Sequence, residues 1–383
     1  MRIIYFTAQY LPHMGGVENY TKHLSTELAN RGHEVVIVTS LIKGEKPYET
    51  TKDGVRIYRL PSFMLLGGRY PYLRGNNETR KILRHLSSEK YDLCLVNTRF
   101  YALSLAGIKF GFRNNIRTIV IEHGTGHLSV NNKALDYLGE KYEHYLTKKG
   151  IKYHPDYCGV SEAANEWLQH FGIKATGVLY NAIDLADVNK ARSQCNVDYR
   201  KEFNIPSQST IVTFTGRMIP EKGIQPLIQA ASNIIHKGID AYFLLAGDGP
   251  LLEEAQKITK TEDRIKFLGR IDGNHVISLL DTSDIFCLPS VSEGFSTSVL
   301  EASACKNYII TTFRGGSKEL VSEDRYGKII PNNKVENVEK ALITAILNPK
   351  DCKEAAEACC RRVSTNFTWK QTADAVERLM RDE

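Results

Sequence analysis

No C-x-x-C pair occurs among the eight cysteines of this 383-residue chain, at positions 94, 158, 195, 287, 305, 352, 359 and 360. The usual spacing for a zinc knuckle or a redox pair is therefore missing. Cys94 and Cys287 fall inside apolar strand patterns, so free buried thiols in a reducing compartment are expected rather than disulfides. No apolar run approaches the roughly 20 residues of a membrane-spanning helix. The opening MRIIYFTAQYLP carries one arginine and no small-residue cleavage site, and reads as a first strand rather than a signal peptide. These features lead us to expect a cytoplasmic protein. The chain has no D-x-D, which removes the usual sequence route to a magnesium or manganese diphosphate site. It has no G-x-x-x-x-G-K-[ST] P-loop, no Ser–His–Asp or Cys–His arrangement that spacing singles out, and no low-complexity tract. No basic run is interleaved with aromatics in a reader motif, so nucleic acid is not an expected partner.

What is present is an ordinary soluble composition, 42% hydrophobic and 25% charged, on a chain too long for one typical core. Strand-like apolar runs alternate with helical patterns. RIIYFTAQY, a helix over 17–30, HEVVIVTS, GVRIYRL, YDLCLVN, RTIVIEH, DYCGVS and GVLYN make a first series. Residues 184–208 are polar and weakly periodic. A second series then runs through STIVTFTGR, AYFLLAGDG, RIKFLGR, DIFCLPS, YIITTF and GKIIP. Near-continuous apolar strands separated by helices indicate parallel sheets covered on both faces. The expectation is an α/β protein of two doubly wound, Rossmann-like domains facing across a cleft, where ligands bind at the carboxyl ends of the strands. The boundaries are placed at 1–182 for the N-terminal domain, 183–206 for a linker, 207–366 for the C-terminal domain and 367–383 for a final helix. The net charge of +6 is uneven: residues 1–190 hold 25 Lys and Arg against 18 Asp and Glu, and the remainder 25 against 26.

Five loops follow strand ends. HMGGVENY puts Gly15 and Gly16 before a helix, a bare backbone that a phosphate or sugar can approach; it is not a G-x-G-x-x-G fingerprint, and a simple tight turn explains it as well. EHGTGH ends a buried strand with His123, which could contact a sugar hydroxyl or steady charge at a reacting carbon; a hydrogen-bonded core histidine is the plainer reading. TGRMIPEKG sets Arg217 and Lys222 five apart around a proline, and two cations there suit a diphosphate. Ser290–Ala302, SVSEGFSTSVLEA, places Glu293 on a loop and Glu301 one turn into a helix, with Gly294, Phe295, Ser296 and Thr297 between them. Such a tip offers backbone N–H groups at the positive end of a helix. FRGGSKEL puts Gly315 and Gly316 before another helix, which could merely pack beside the site.

These motifs, taken in order, resemble the family-4 retaining glycosyltransferases of the two-domain GT-B fold. The matching segments are GGVE with GHEVVIVT after it, HG at 123–124, NAID at 181–184, GRMIPEKG at 216–223, AGDGP at 246–250, LPS with EGFSTSVLEA at 288–302, GG with Glu319 downstream, and a final helix led by FTW. The resemblance implies a nucleotide diphosphate sugar, with UDP the expected nucleotide, held by the C-terminal domain. It assigns the diphosphate to Arg217 and Lys222, the ribose to Glu301, and donor-sugar hydroxyls to Glu293. The amides of Phe295, Ser296 and Thr297 would face the distal phosphate, and His123 would lie near the donor sugar. It also implies that the final helix crosses back to the N-terminal domain. With no D-x-D in the chain, Arg217, Lys222 and helix N-termini are expected to stabilise a departing diphosphate in place of a metal, and no cofactor is expected. Ser296-Thr297 departs from the Gly-Leu of many members, which bears on sugar selectivity.

The acceptor is expected on the N-terminal domain, as a glycan or lipid-linked molecule. Members with a TRF segment and an EHG loop resemble enzymes of surface polysaccharide synthesis. Residues 62–85 mix Phe63, Leu65, Leu66, Tyr70 and Tyr72 with Arg69, Arg74, Arg80, Lys81 and Arg84, and a second stretch carries Arg99, Lys109 and Arg113. Both suit an anionic bilayer surface on the inner face of the cell membrane, although an amphipathic helix packed on its own sheet would read the same way. Two other functions fit the same motifs: a GT-B sugar-nucleotide epimerase and a non-catalytic partner subunit of a transferase.

Overall fold

A computed structural model describes residues 1–13, 15–42, 44–65, 68, 70–129, 132–195 and 197–381. They gather into two compact units, Met1–Asn181 with Trp369–Glu383, and Ala182–Thr368.

The first unit is built on nine strands: β1 Arg2–Phe6, β2 Glu34–Leu41, β3 Tyr48–Thr50, β4 Arg56–Leu65, β5 Tyr70–Leu73, β6 Leu93–Asn97, β7 Arg117–Glu122, β8 Asp156–Gly159 and β9 Gly177–Val178. Their order is β3-β4-β2-β1-β6-β7-β8-β9, with β5 paired to β4 off this path. The central strands are parallel, as their apolar runs require, and Ile3, Ile4, Tyr5, Phe6 and Leu93–Val96 are fully buried. The sheet is not wholly parallel, however. β3 and β5 both run antiparallel to β4. They are short polar-flanked pieces at an edge, where the proline in YPYL interrupts no ladder.

The second unit carries β10 Thr210–Thr215, β11 Ala241–Ala246, β12 Ile265–Gly269, β13 Ile285–Leu288, β14 Tyr308–Thr312 and β15 Lys328–Ile330. All pairs are parallel and the order is β12-β11-β10-β13-β14-β15. Both sheets therefore reverse direction beside their first strand: between β1 and β6 in one unit and between β10 and β13 in the other. In such a sheet the crevice at the carboxyl ends of the two strands flanking the reversal is where a ligand can enter.

Residues 183–206, expected as a linker, are structured instead. Helices Leu185–Gln194 and Tyr199–Glu202 start on Asp184 and Asp198, whose carboxylates accept from backbone N–H groups two and three residues on. Only Val188 and Ala191 of the longer helix are buried, which is why its periodicity is faint in the sequence. Helix Trp369–Arg381 belongs to the first unit and packs on helix Gly16–Asn30. Trp369 meets the Tyr20 ring edge-on at 5.2 Å and stacks on His23 at 5.4 Å, while Arg31 reaches Asp374 at 2.6 Å.

The basic-aromatic stretch at 62–85 is the β4–β5 hairpin followed by helix Asn77–Ser87. Phe63, Leu65 and Tyr72 are exposed, as are Arg74, Arg80, Lys81 and Arg84. Leu66 and Arg69 lie outside the described residues. Arg99, expected among the surface cations, is fully buried. Its guanidinium reaches Glu122 at 2.5 Å and Glu143 at 3.1 Å, and two carboxylates hold this cation inside the fold.

Candidate functional site

The loops after β10 and β13 meet because the two strands are neighbours in register, with Val212 opposite Ile285 and Thr213 opposite Phe286. Glu221 accepts a backbone bond from Val291 at 2.8 Å, and Met218 donates to Asp248 after β11 at 2.7 Å. Gly223 closes the turn at Pro220–Lys222 with φ +70°, and a Cβ there would sit 2.0 Å from the Pro289 carbonyl oxygen. Only glycine fits both the conformation and the space.

This close approach places Lys222 on Glu293. The ammonium Nζ lies 2.7 Å from Oε1 and 2.9 Å from Oε2. Both side chains are largely shielded, at 23% and 9% exposure, so the pair fixes the loop geometry more firmly than an exposed pair would. Arg217 is exposed on the same loop, and its guanidinium has no hydrogen bond or ion pair among the described residues. Helix Thr297–Ala304 begins beside Glu293. Ser296 at its N-cap makes no capping bond, and its hydroxyl pairs with Ser298 at 3.0 Å. Phe295 is buried and packs on Phe367. Glu301 is half-buried one turn into the helix, and burial lifts its carboxyl to about 7.

Gly315 and Gly316 do more than lie alongside. A Cβ on Gly315 would come within 2.3 Å of Gly294 O, and one on Gly316 within 2.4 Å of the Phe295 ring. The Gly316 N–H donates to Gly294 O at 3.0 Å, so this loop presses the Glu293–Thr297 tip into shape. The second unit thus gathers two cations, two carboxylates and a helix start at its sheet reversal. That set suits an anionic leaving group next to hydroxyl-bearing rings.

In the first unit, His123 follows β7 and Asn97 ends the neighbouring β6. The Asn97 amide nitrogen donates to Thr7 Oγ1 at 3.1 Å and Thr21 Oγ1 at 2.6 Å, so its Oδ1 is the acceptor for Tyr5 OH at 2.9 Å and His123 Nε2 at 2.8 Å. The proton of His123 is therefore on Nε2, and Nδ1 is left as an acceptor. Burial pushes this imidazole down to about 3, so it is neutral at physiological pH. The Tyr20 ring sits edge-on to it at 4.8 Å. Asn97, which orients His123, is a candidate site residue that no motif in the sequence singles out. Its signal is a polar residue closing the apolar run LCLVN.

Gly15 is the N-cap of helix Gly16–Asn30, and Glu18 folds back over it, 3.1 Å from His13 Nδ1. Burial raises the Glu18 carboxyl, and a Cβ on Gly15 would sit 2.4 Å from its Oε2. An acid thus occupies the start of this helix, where the bare glycines alone had suggested room for a phosphate.

A cavity of about 510 Å³ opens between the β4–β5 hairpin and helix Lys133–Ile151, with Leu65, Tyr72, Phe100, Leu135, Leu138 and Tyr142 on its walls. Around it stand exposed Phe63, Tyr137 and Tyr145, each with a cation over its ring: Arg74, Lys141 and Lys149 at 3.8, 5.2 and 4.3 Å. Nothing in the spacing of 133–151 marks this wall, because its partners come from residues 65–100.

Known proteins share this organisation. The model for glycosyltransferase family 4 matches residues 14–187, and that for glycosyl transferases group 1 matches residues 197–361. An uncharacterised glycosyltransferase of Methanocaldococcus jannaschii is 24% identical over 99% of this chain and 98% of its own length. A component of the human phosphatidylinositol N-acetylglucosaminyltransferase is 25% identical over 97% of this chain and 74% of its own. The crystal structure of Anabaena HepE in complex with UDP-glucose superposes with a TM-score of 0.75, 17% identity and full coverage of both chains. With both halves matched, and two reversing sheets of the same architecture, the chain belongs to the family-4 glycosyltransferases of the GT-B fold.

Proposed function

We propose that this glycosyltransferase moves a sugar, with retention at the anomeric carbon, from a UDP-sugar to a hydroxyl of a lipid-linked glycan acceptor, without a metal ion. The observation that carries the reading is the meeting of Arg217, Lys222, Glu293 and the start of helix Thr297–Ala304 at the β10–β13 reversal. Arg217 and Lys222 would take the diphosphate, and Glu301 the ribose hydroxyls. Glu293, already turned toward Lys222, would accept from sugar hydroxyls once phosphate oxygens compete for the ammonium. As the diphosphate departs and the anomeric carbon gains positive charge, these donors would stabilise the leaving group electrostatically, which is usually the largest single contribution in such a site. The acceptor hydroxyl would attack from the face the diphosphate leaves, passing its proton to a phosphate oxygen. His123, neutral and with Nδ1 as acceptor, would hold a sugar hydroxyl rather than a charge.

UDP is favoured because HepE, of the same fold, binds UDP-glucose. A lipid-linked acceptor is favoured by the apolar cavity with its cation-bearing aromatic rim, and by a relative whose name gives phosphatidylinositol as its substrate. No described helix is long and apolar enough to cross a membrane, and the rim suits attachment to the inner face of an anionic bilayer during synthesis of a surface polysaccharide or glycoconjugate.

A panel of sugar nucleotides tested by thermal shift, then mass spectrometry with polyprenyl-linked and phosphatidylinositol acceptors, tests the reading. One UDP-sugar should stabilise the protein and label a lipid acceptor with α-retention. Turnover of a UDP-sugar with no acceptor would identify an epimerase, and binding with no turnover a non-catalytic partner. Activity should persist in excess chelator; loss restored by magnesium or manganese would overturn the metal-free mechanism.

A further inference from the structure

Three histidines far apart in the sequence, none of them assigned to the donor, converge in the first unit. His127 lies on the loop after β7, His144 on helix Lys133–Ile151, and His170 closes helix Glu162–Gln169. One ring nitrogen of each lies within 4.8 Å of the others. We infer that His127, His144 and His170 form a transition-metal site, with Zn²⁺ as its natural occupant, that ties the loop carrying His123 to the two helices.

One of the three spacings already has the value that ion requires, and the other two lie within 4.8 Å. Tetrahedral zinc with Zn–N bonds of 2.0–2.1 Å holds its nitrogens about 3.3 Å apart. His144 Nε2 and His170 Nε2 are 3.3 Å apart. His127 Nδ1 pairs with Glu143 Oε2 at 2.8 Å, which leaves its Nε2 as the ligand atom. That carboxylate–histidine pair is the outer support a zinc-bound imidazole usually has. Glu143 is fixed in turn by Arg99 and by the Leu128 N–H, so the ring of His127 is oriented before any metal arrives. A fourth ligand, an oxygen, is at hand: Glu140 Oε1 lies 3.9 Å from His127 Nε2, one turn before His144 on the same helix face.

The surroundings fit as well. Trp167 stacks on His170 at 4.9 Å, and Phe171 stands against all three imidazoles at 4.8 to 5.8 Å, a dry wall that keeps the nitrogens from water on one side. Three imidazoles with one carboxylate select zinc, nickel, cobalt or copper over the hard magnesium and calcium ions. The three histidines are not among the residues proposed for sugar transfer, and the zinc readouts below do not depend on activity, so either reading can fail alone.

The test uses the untagged full-length protein, stripped with chelator and dialysed. Titration with Zn²⁺ by calorimetry should show one tight equivalent per chain, with a rise in melting temperature. His144→Ala and His170→Gln, both at sites that do not hold the core, should each weaken it by at least tenfold and together abolish it. Co²⁺ should give the visible bands of a four-coordinate site without thiolate charge-transfer absorption, which separates this site from the cysteines. No saturable equivalent, thiolate bands, or unchanged affinity in the double variant would overturn the inference and leave a hydrogen-bonded imidazole cluster.

Discussion

Arg217 and Lys222 differ in how they wait for a ligand. Lys222 is held on Glu293, whereas Arg217 stands exposed. If both grip the diphosphate, each charge-assisted bond is worth about 1.5–3 kcal/mol. Arg217→Ala and Lys222→Ala should each cost at least tenfold in donor affinity or turnover with an unchanged circular dichroism spectrum; near-normal kinetics in both would remove them from the site. Glu301 makes a sharper prediction. Its carboxyl is raised to about 7 by burial, from an ordinary 4.5, so the folded state holds a proton that the unfolded chain has released between those values. The sign follows: stability falls as pH rises from 4.5 to 7, and the full cost is present above 7. A carboxylate that accepts from ribose hydroxyls must be ionised, so nucleotide affinity should rise over the same interval. Glu301→Gln should stabilise the free protein at pH 8 by about 1–3 kcal/mol in thermal denaturation, while weakening nucleotide binding and flattening its pH dependence. A destabilised Gln variant would show that Glu301 is not the burdened group. Among single residues the sequence revealed those that follow strand ends, because a loop after an apolar run has only one place to be. It concealed Arg99, whose carboxylate partners lie 23 and 44 positions away, and Asn97, whose importance lies in partners on β1 and the first helix.

At the scale of elements, the donor side depends on backbones that touch. Gly223 leaves no room for a methyl group against Pro289, and its φ of +70° strains any other residue. Gly223→Ala should therefore destabilise the second unit by about 1–3 kcal/mol, and should also part Lys222 from Glu293, so that nucleotide affinity falls more than stability alone explains. Equal affinity at a temperature well below the melting transition would show that the turn is structural only. The strands of both sheets were legible because buried parallel strands are nearly continuous apolar runs. The β3 and β5 pieces were not, since three or four residues at an edge carry too little pattern. The helices at 185–202 were hidden for a related reason: they bury few side chains, and what starts them is a capping aspartate rather than an apolar stripe.

For the molecule as a whole, charge and apolar exposure coincide on the first unit. Residues 1–190 hold the excess of basic residues, and the hairpin and helix around the 510 Å³ cavity expose Phe63, Leu65, Tyr72, Leu135, Tyr137 and Leu138. Each Lys or Arg near an anionic surface contributes about 1 kcal/mol, screened beyond roughly 10 Å at 0.1 M salt. The protein should co-sediment with anionic but not neutral vesicles, less so in high salt and after joint neutralisation of Arg74, Arg80, Lys81 and Arg84. Equal sedimentation with both kinds of vesicle, or none, would leave these side chains as solvated surface and favour a soluble acceptor. The cavity itself could not be read in advance, because its walls come from residues 65–72, 100 and 128–143 and meet only in the folded unit. The chain path has a consequence of a different kind. Residues 182–368 begin and end side by side, since Ile183 donates to Phe367 O at 2.9 Å and pairs with Thr368. The second unit is thus an uninterrupted insertion within the first. Domains generally mature on the ribosome in the order in which they are made. Here that order inverts: the half translated first is finished last. Until residues 369–381 have been made, Tyr20 lacks its Trp369 neighbour and helix Gly16–Asn30 lacks its cover, so the first unit cannot be completed before the whole of the second has been synthesised.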